Sequence, residues 1–171
     1  GTDLNWTVIG QISIIEAEGF SYCLHPYDRR LPHMWESVQN NSIIRASPDI
    51  GRSPREPSQG PMVGYNLTII NPGWYYFWFE TRGESISDDT FAVNFERPGY
   101  PPTNYSIVSS FEEAGGEWYW TKDSSLAPLK MWVPSTWDIK INIWMQEDGV
   151  EIDRILVASD KNYIPDLEVL R

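Results

Sequence analysis

The chain has 171 residues, a net charge of -11 and an aromatic content of 14%, from nine Trp, nine Tyr and six Phe. This length suffices for one sizeable core and demands no second domain, so residues 1–171 are expected to form a single domain; no run approaches the roughly 18 apolar residues of a membrane-spanning helix. The negative charge disfavours nucleic acid, anionic membrane and strongly sulfated or carboxylated polymers unless a local basic patch intervenes, and thirteen Lys and Arg scattered along the chain announce no such patch.

Residues 11–18, Q-I-S-I-I-E-A-E, alternate well enough for a first strand, which sends Glu16 and Glu18 to the same side near its end. Residues 19–60 are irregular and rich in proline, with only 41–46 reading as a strand, and a loop this long is usually functional or ligand-stapled. Cys23 lies within it as the single cysteine, so the chain has no intrachain disulfide and the thiol is expected to be buried and inert. Residues 61–70 read as a strand that is expected to lead through the N-P-G turn at 71–73 into the next as a hairpin.

That next strand, within residues 71–82, is N-P-G-W-Y-Y-F-W-F-E-T-R. Alternation sends Trp74, Tyr76 and Trp78 to one face and Tyr75, Phe77 and Phe79 to the other, so both faces are expected to be buried or nearly so. A polar loop follows at 82–89, then a half-buried returning strand at 90–96. Residues 117–121, E-W-Y-W-T, place Trp118 and Trp120 on one face of a short strand ahead of a polar turn at 122–125. Strands at 129–133, 137–145 and 152–159 follow, the last two joined by the turn 146–149. About nine or ten short strands with Pro and Gly punctuation, and no helical crossover, imply an all-β fold, an antiparallel β-sandwich of the jelly-roll kind. If the aromatic strand ascends, 117–121 and 137–145 are expected to ascend too, which puts 82–89, 122–125 and 146–149 on one edge.

Four pieces of the chain together resemble a known group: I-E-A-E at 15–18, P-G-W-Y-Y-F-W-F-E-T-R at 72–82 with S-D-D-T-F behind it, E-W-Y-W-T at 117–121, and E-D-G-V-E-I-D-R-I-L-V-A-S-D at 147–160 followed by Tyr163-Ile164-Pro165. The group is the β-sandwich carbohydrate-binding modules of the family 6 and family 35 type, with the related C-terminal domain of family 115 glycoside hydrolases. Residues 19–60 lie outside the resemblance. In modules of this kind two early carboxylates and an Asp on the last strand hold a structural calcium, which the resemblance carries onto Glu16, Glu18 and Asp153. Calcium takes six to eight hard oxygen ligands, and three carboxylates from the first and last strands would cross-link the ends of the chain. The alternative is solvated carboxylates, with Asp153 paired to Arg154.

Sugar binding needs flat apolar faces for the CH-rich side of a pyranose and a few placed polar groups for its hydroxyls. The expected edge supplies Trp118 and Trp120 as faces and Arg82, Asp88, Asp89, Glu147 and Glu151 as polar groups, with Trp35, Tyr27, Tyr100 and Tyr105 held in loops as further candidates. For each Trp the competing role is core packing. His25 and His33, the only histidines, have a poor spacing for a metal, and no nucleophile elbow or phosphate loop occurs. The resemblance therefore implies a secreted, non-catalytic module, monomeric within a larger hydrolase or lyase. It would bind a neutral or weakly charged polysaccharide, an algal galactan such as agarose first and xylan second. The other classes left open are a protein-binding structural or adhesion module and a small polysaccharide-cleaving enzyme.

Overall fold

The computed structural model describes residues 5–83, 90–108, 117–121 and 128–165. In chain order its strands are β1 (Asn5–Val8), β2 (Ile12–Glu16), β3 (Tyr22–Leu24), β4 (Met34–Val38), β5 (Ile43–Ser47), β6 (Met62–Ile69), β7 (Gly73–Arg82), β8 (Phe91–Glu96), β9 (Ser106–Val108), β10 (Tyr119–Thr121), β11 (Leu129–Val133), β12 (Trp137–Met145) and β13 (Glu151–Ala158). The helical structure among the described residues is two single 3-10 turns, Ala17–Gly19 and Pro57–Gln59.

Two sheets result. The first runs β1-β6-β12-β8-β9, with β3 also on β6; the second runs β10-β7-β13-β5-β4, with β11 also on β7 and β2 also on β13. All pairings are antiparallel except β1 with β6, which is parallel. The expected all-β sandwich is thus the observed fold.

The core lies between the sheets. Tyr75, Phe77 and Phe79 point inward from β7 and meet Phe91, Val93 and Phe95 of β8 and Ile139, Ile141 and Ile143 of β12. Phe77 and Phe95 are tilted at 4.9 Å between centroids, and Phe79 and Phe91 are edge to face at 5.5 Å, an arrangement that adds to simple burial. The outer face of β7 is only partly covered: Trp78 is buried with Leu156 and Ala158, whereas Trp74 is 46% exposed.

Several expectations are corrected. β6 and β7 are not a hairpin, because the link between them crosses from one sheet to the other, as suits two strands that both feed one core. β10 runs antiparallel to β7, with Trp120 opposite Glu80, so it descends where it was expected to ascend. β11 continues that descent, from Leu129 opposite Phe77; Thr121 and Leu129, which bracket the expected 122–125 turn, thus lie halfway down β7 rather than at the upper edge, and the turn itself lies outside the described residues. Trp35 belongs to β4, is 3% exposed, and donates its indole N–H to Pro61 O at 3.2 Å. β8 is covered on its outer side as well, at Ala92 and Asn94. Cys23 is half-buried in β3.

The 146–150 connection does lie at the upper end beside the start of β8, since Met145 pairs with Phe91 and Glu147 N donates to Thr90 O at 3.1 Å. The long segment 19–60 joins that end too. Asp148, buried in the connection, accepts from Ile50 N, Gly51 N and Arg52 N at 3.0, 3.2 and 3.0 Å, and pins residues 50–52 against the sandwich. Gly149 beside it has φ +88, and a Cβ there would stand 2.8 Å from the Asp49 side chain, so the turn requires glycine.

Candidate functional site

Glu16, Glu18 and Asp153, the three carboxylates named through the resemblance, come together, each offering an oxygen within 4.8 Å of the others. Glu16 ends β2, and the chain then tightens into the 3-10 turn that carries Glu18. Asp153 reaches them through a bulge: β13 changes register against β7 between Ile152 and Arg154, and the extra residue leaves the ladder. Glu18 Oε2 is buried without a hydrogen-bond partner among the described residues. Burial pushes the Glu18 carboxyl above its ordinary value and the charge of Glu16 adds to this, against a lowering backbone hydrogen bond. A buried acceptor with no donor beside two further carboxylates is costly unless a cation compensates, so the residues present fit a hard divalent ion.

The outer face of the second sheet carries two ion pairs beside that cluster. Glu80 and Arg154 form a buried fork, 2.8 Å for both Nε to Oε1 and Nη2 to Oε2, and the Trp120 ring lies over the Arg154 guanidinium at 5.3 Å. One step higher, Arg82 donates from Nε and Nη2 to Glu151 Oε1 at 3.0 and 2.8 Å, and the Trp118 ring covers its guanidinium at 4.7 Å. The expected residues Arg82, Glu151, Trp118 and Trp120 therefore share one face. Trp118 stands at the upper edge; Trp120 is lower and packs on the Trp78, Leu156 and Ala158 cluster. Glu147 sits half-buried in the upper turn, and Asp88 and Asp89 lie outside the described residues.

A second face, on the outer side of the first sheet, was not anticipated. Trp144 donates its indole N–H to Asn94 Oδ1 at 2.8 Å, Asn142 donates from Nδ2 to Glu96 Oε2 at 2.9 Å, and Tyr22 donates its hydroxyl to Asn142 Oδ1 at 2.6 Å. Asn94 and Asn142 are 6% and 3% exposed, so these bonds fix the rings above them. Tyr22 lies across β6 because residue 64 is glycine; a Cβ there would fall 2.2 Å from the tyrosine ring. Burial, and then the charge of Glu96, push its phenol well above the ordinary value, so it remains a donor. Tyr105 meets Trp144 edge to face at 5.8 Å, and Lys140 Nζ stands 5.5 Å from the Tyr22 ring centroid. Two cavities open on this face: about 760 Å³ at its upper end, lined by Tyr27 and Trp144 among others, and about 380 Å³ lower down, lined by Asn66, Asp138 and Lys140 among others. The clue in the sequence was β12 itself, W-D-I-K-I-N-I-W-M, where three inward Ile alternate with an outward Lys, Asn and Trp.

The basic patch that the sequence did not announce is also present. Arg30, Arg52 and Arg55 line one cavity of about 450 Å³ beside the loops at the upper end, and Arg29, the sequence neighbour of Arg30, lines the 760 Å³ cavity.

No family model matches the chain. The uncharacterized protein P23 of Formosa agariphila is 25% identical over 120 residues, which are 64% of this chain and 28% of that protein, so the chain spans less than a third of that relative. Among solved structures, the C-terminal family 6 carbohydrate-binding module of the laminarinase LamC from Zobellia galactanivorans superposes with a TM-score of 0.51 at 14% identity, covering 86% of this chain and 98% of that one. A family 35 carbohydrate-binding module from Clostridium thermocellum gives 0.54 at 12% identity, covering 88% and 100%. The fold is therefore that of the family 6 and family 35 carbohydrate-binding modules. The insecticidal crystal protein Cry2Aa also contains it, with a TM-score of 0.51 at 9% identity over 86% of this chain and 21% of its own, so the fold by itself assigns no ligand.

Proposed function

We propose that this protein is a non-catalytic carbohydrate-binding module that holds a polysaccharide and brings an attached polysaccharide-degrading enzyme to it. The observation that carries this reading is the hydrogen-bonded ladder of Trp144, Asn94, Asn142, Glu96 and Tyr22 across the first sheet. It offers aromatic surface for sugar CH groups next to fixed polar atoms for hydroxyls, the division of labour that a pyranose requires. Trp144 and Lys140 are four residues apart on one strand, about 13 Å, so a ligand along β12 would span several sugar units. The Trp118 edge is a further contact surface in this reading, with Arg82 and Glu151 acting as its support because each holds the other. Carboxylates near the aromatic faces are engaged, Glu80 by Arg154, Glu151 by Arg82 and Glu96 by Asn142, which suits holding a glycan better than cleaving one. Calcium at Glu16, Glu18 and Asp153 would tie the end of β2 to β13 and offset their mutual repulsion. Secretion and an algal galactan ligand belong to the same proposal. Affinity electrophoresis through agarose and xylan, with a reducing-end assay on the same polymers, tests it. Retardation without new reducing ends is expected; free migration through every polysaccharide, or release of reducing ends, would sink the reading.

A further inference from the structure

Four arginines line two cavities at the upper end of a chain whose net charge is -11. Arg30, Arg52 and Arg55 line the 450 Å³ cavity and Arg29 the 760 Å³ cavity that also holds Tyr27 and Trp144; Asp28 is the one carboxylate lining either. All four arginines are exposed, Arg30 at 67% of its side chain. Arg30 is held in a fork by Asp28, at 3.0 and 2.8 Å, while Arg29 and Arg55 have no ion-pair partner among the described residues. Asp28 is drawn down to about 2, first by its Arg30 side-chain bond and the Arg30 N–H, with the Arg30 and Arg55 charges adding to them, so it stays ionised and the cluster keeps a positive excess.

Gathering like charges is unfavourable, and here the backbone is fixed so that they stay gathered. Asp28 N donates to Gln59 O, Leu31 N donates to Asp28 O, and Arg52 N donates to the buried Asp148 carboxylate. The arginines therefore sit on two pinned loops, and a ligand would not have to order them. Guanidinium forks match sulfate and carboxylate oxygens in pairs, which lysine does not. Outside this patch the molecule repels polyanions, and the patch acts over no more than about a Debye length, 8 to 10 Å. That favours a polymer with spaced anionic groups over one charged at every step.

We infer that the loops carrying Arg29, Arg30, Arg52 and Arg55 bind the anionic substituents, sulfate esters or carboxylates, of a polysaccharide whose sugar rings lie on the Trp144 face. This rests on the carbohydrate-binding reading above and changes its substrate class from neutral to anionic.

The test compares the full chain with Arg52→Gln/Arg55→Gln and with Arg29→Gln, in titrations against agarose, carrageenan as a sulfated galactan, polygalacturonate as a carboxylated polymer, and a single-stranded DNA oligonucleotide. The wild type should bind carrageenan or polygalacturonate at least about tenfold more tightly than agarose or DNA, with an affinity that falls steeply between about 50 and 200 mM salt. Which of the two it prefers identifies the anion. The double variant should bring charged and neutral polymers to similar affinity at an unchanged melting temperature; if it melts early, Arg29→Gln, which breaks no hydrogen bond of the described residues, should still cost severalfold. Affinity for agarose equal to that for both carrageenan and polygalacturonate, DNA binding as tight as the preferred charged polymer, or charged-polymer binding unmoved in both variants would each overturn the inference. In the first of these outcomes the carbohydrate-binding reading stands; no binding to any polysaccharide removes both.

Discussion

His33 Nε2 lies 2.9 Å from Asp148 Oδ2, and the two side chains are 0% and 1% exposed. This pair joins the segment before β4 to the turn before β13, and the same carboxylate takes three amide protons from residues 50–52. One side chain thus anchors two loops that carry no strand of their own.

Asp148→Ala should cost about 3 to 5 kcal/mol, the range for removing one member of a buried pair, because it strands His33 and three amides. Asp148→Asn, which keeps an acceptor, should cost less. Burial pushes the Asp148 carboxyl up, but the N–H groups of Arg52 and Ile50, the His33 side chain and the N–H of Gly51 outweigh it and hold it below its ordinary value. With the folded value depressed, the stabilisation is complete above the unfolded carboxyl value, about 3.9, and is lost as pH falls through the folded one. Urea unfolding should therefore show the gap between wild type and Asp148→Asn narrowing in acid; a gap that stays constant from pH 7 down to the acid limit would contradict this role.

The carboxylate cluster gives a prediction with two arms. An ion bound only by the folded state stabilises by about 2.7 kcal/mol at a hundredfold excess over its dissociation constant, and a domain of this size gains about 2 to 4 °C per kcal/mol. Melting in calcium should thus exceed melting in EDTA by several degrees. Glu18→Gln should abolish that difference while leaving the EDTA value unchanged or higher, since it removes a repelled carboxylate. Coincident melts of the wild type in the two buffers would dispose of the metal site.

The aromatic strand was legible in part: alternation divides its two faces and Tyr75, Phe77 and Phe79 are all buried, but the opposite face, expected to be buried as well, is covered at Trp78 and 46% exposed at Trp74. Alternation put Glu16 and Glu18 on one side and only the resemblance added Asp153, whose meeting with them depends on a bulge that no alternation rule announces. Strand direction was not legible: whether β10 ascends or descends is decided by pairing across the sheet, which alternation does not encode. The Asn94 and Asn142 ladder was hidden for a related reason. Each Asn reads as an ordinary outward residue until three neighbouring strands place donor against acceptor. Arg29 and Arg30 are more than twenty residues from Arg52 and Arg55, and the two loops are brought together by the Asp148 anchor and by the bond from Asp28 N to Gln59 O.

Phe77→Ala should cost about 3 to 5 kcal/mol, the range for a buried Phe, whereas Trp74→Ala on the opposite face of the same strand should cost far less. Equilibrium denaturation of both variants checks it. Similar losses from the two would mean that the outer face of β7 is covered by something beyond the described strands.

The last prediction separates the two candidate glycan faces. Trp144 is a poor probe alone, because removing its ring leaves the buried Asn94 Oδ1 without a donor and should cost about 1 to 3 kcal/mol of stability whatever the ring binds. Tyr105 is the better choice: it is 39% exposed and meets Trp144 by its edge. If sugar stacks there, Tyr105→Ala should weaken polysaccharide binding by about 0.5 to 1.5 kcal/mol while barely moving the melting temperature. Trp118→Ala probes the other face, where the ring rests on the Arg82 guanidinium and that charge is still held by Glu151 once the ring has gone. Binding lost in Tyr105→Ala and kept in Trp118→Ala places the ligand on the first sheet. The reverse result would move it to the edge beside Arg82, and the ladder of Asn94 and Asn142 would then be a structural device for covering the outer side of β8 and β12.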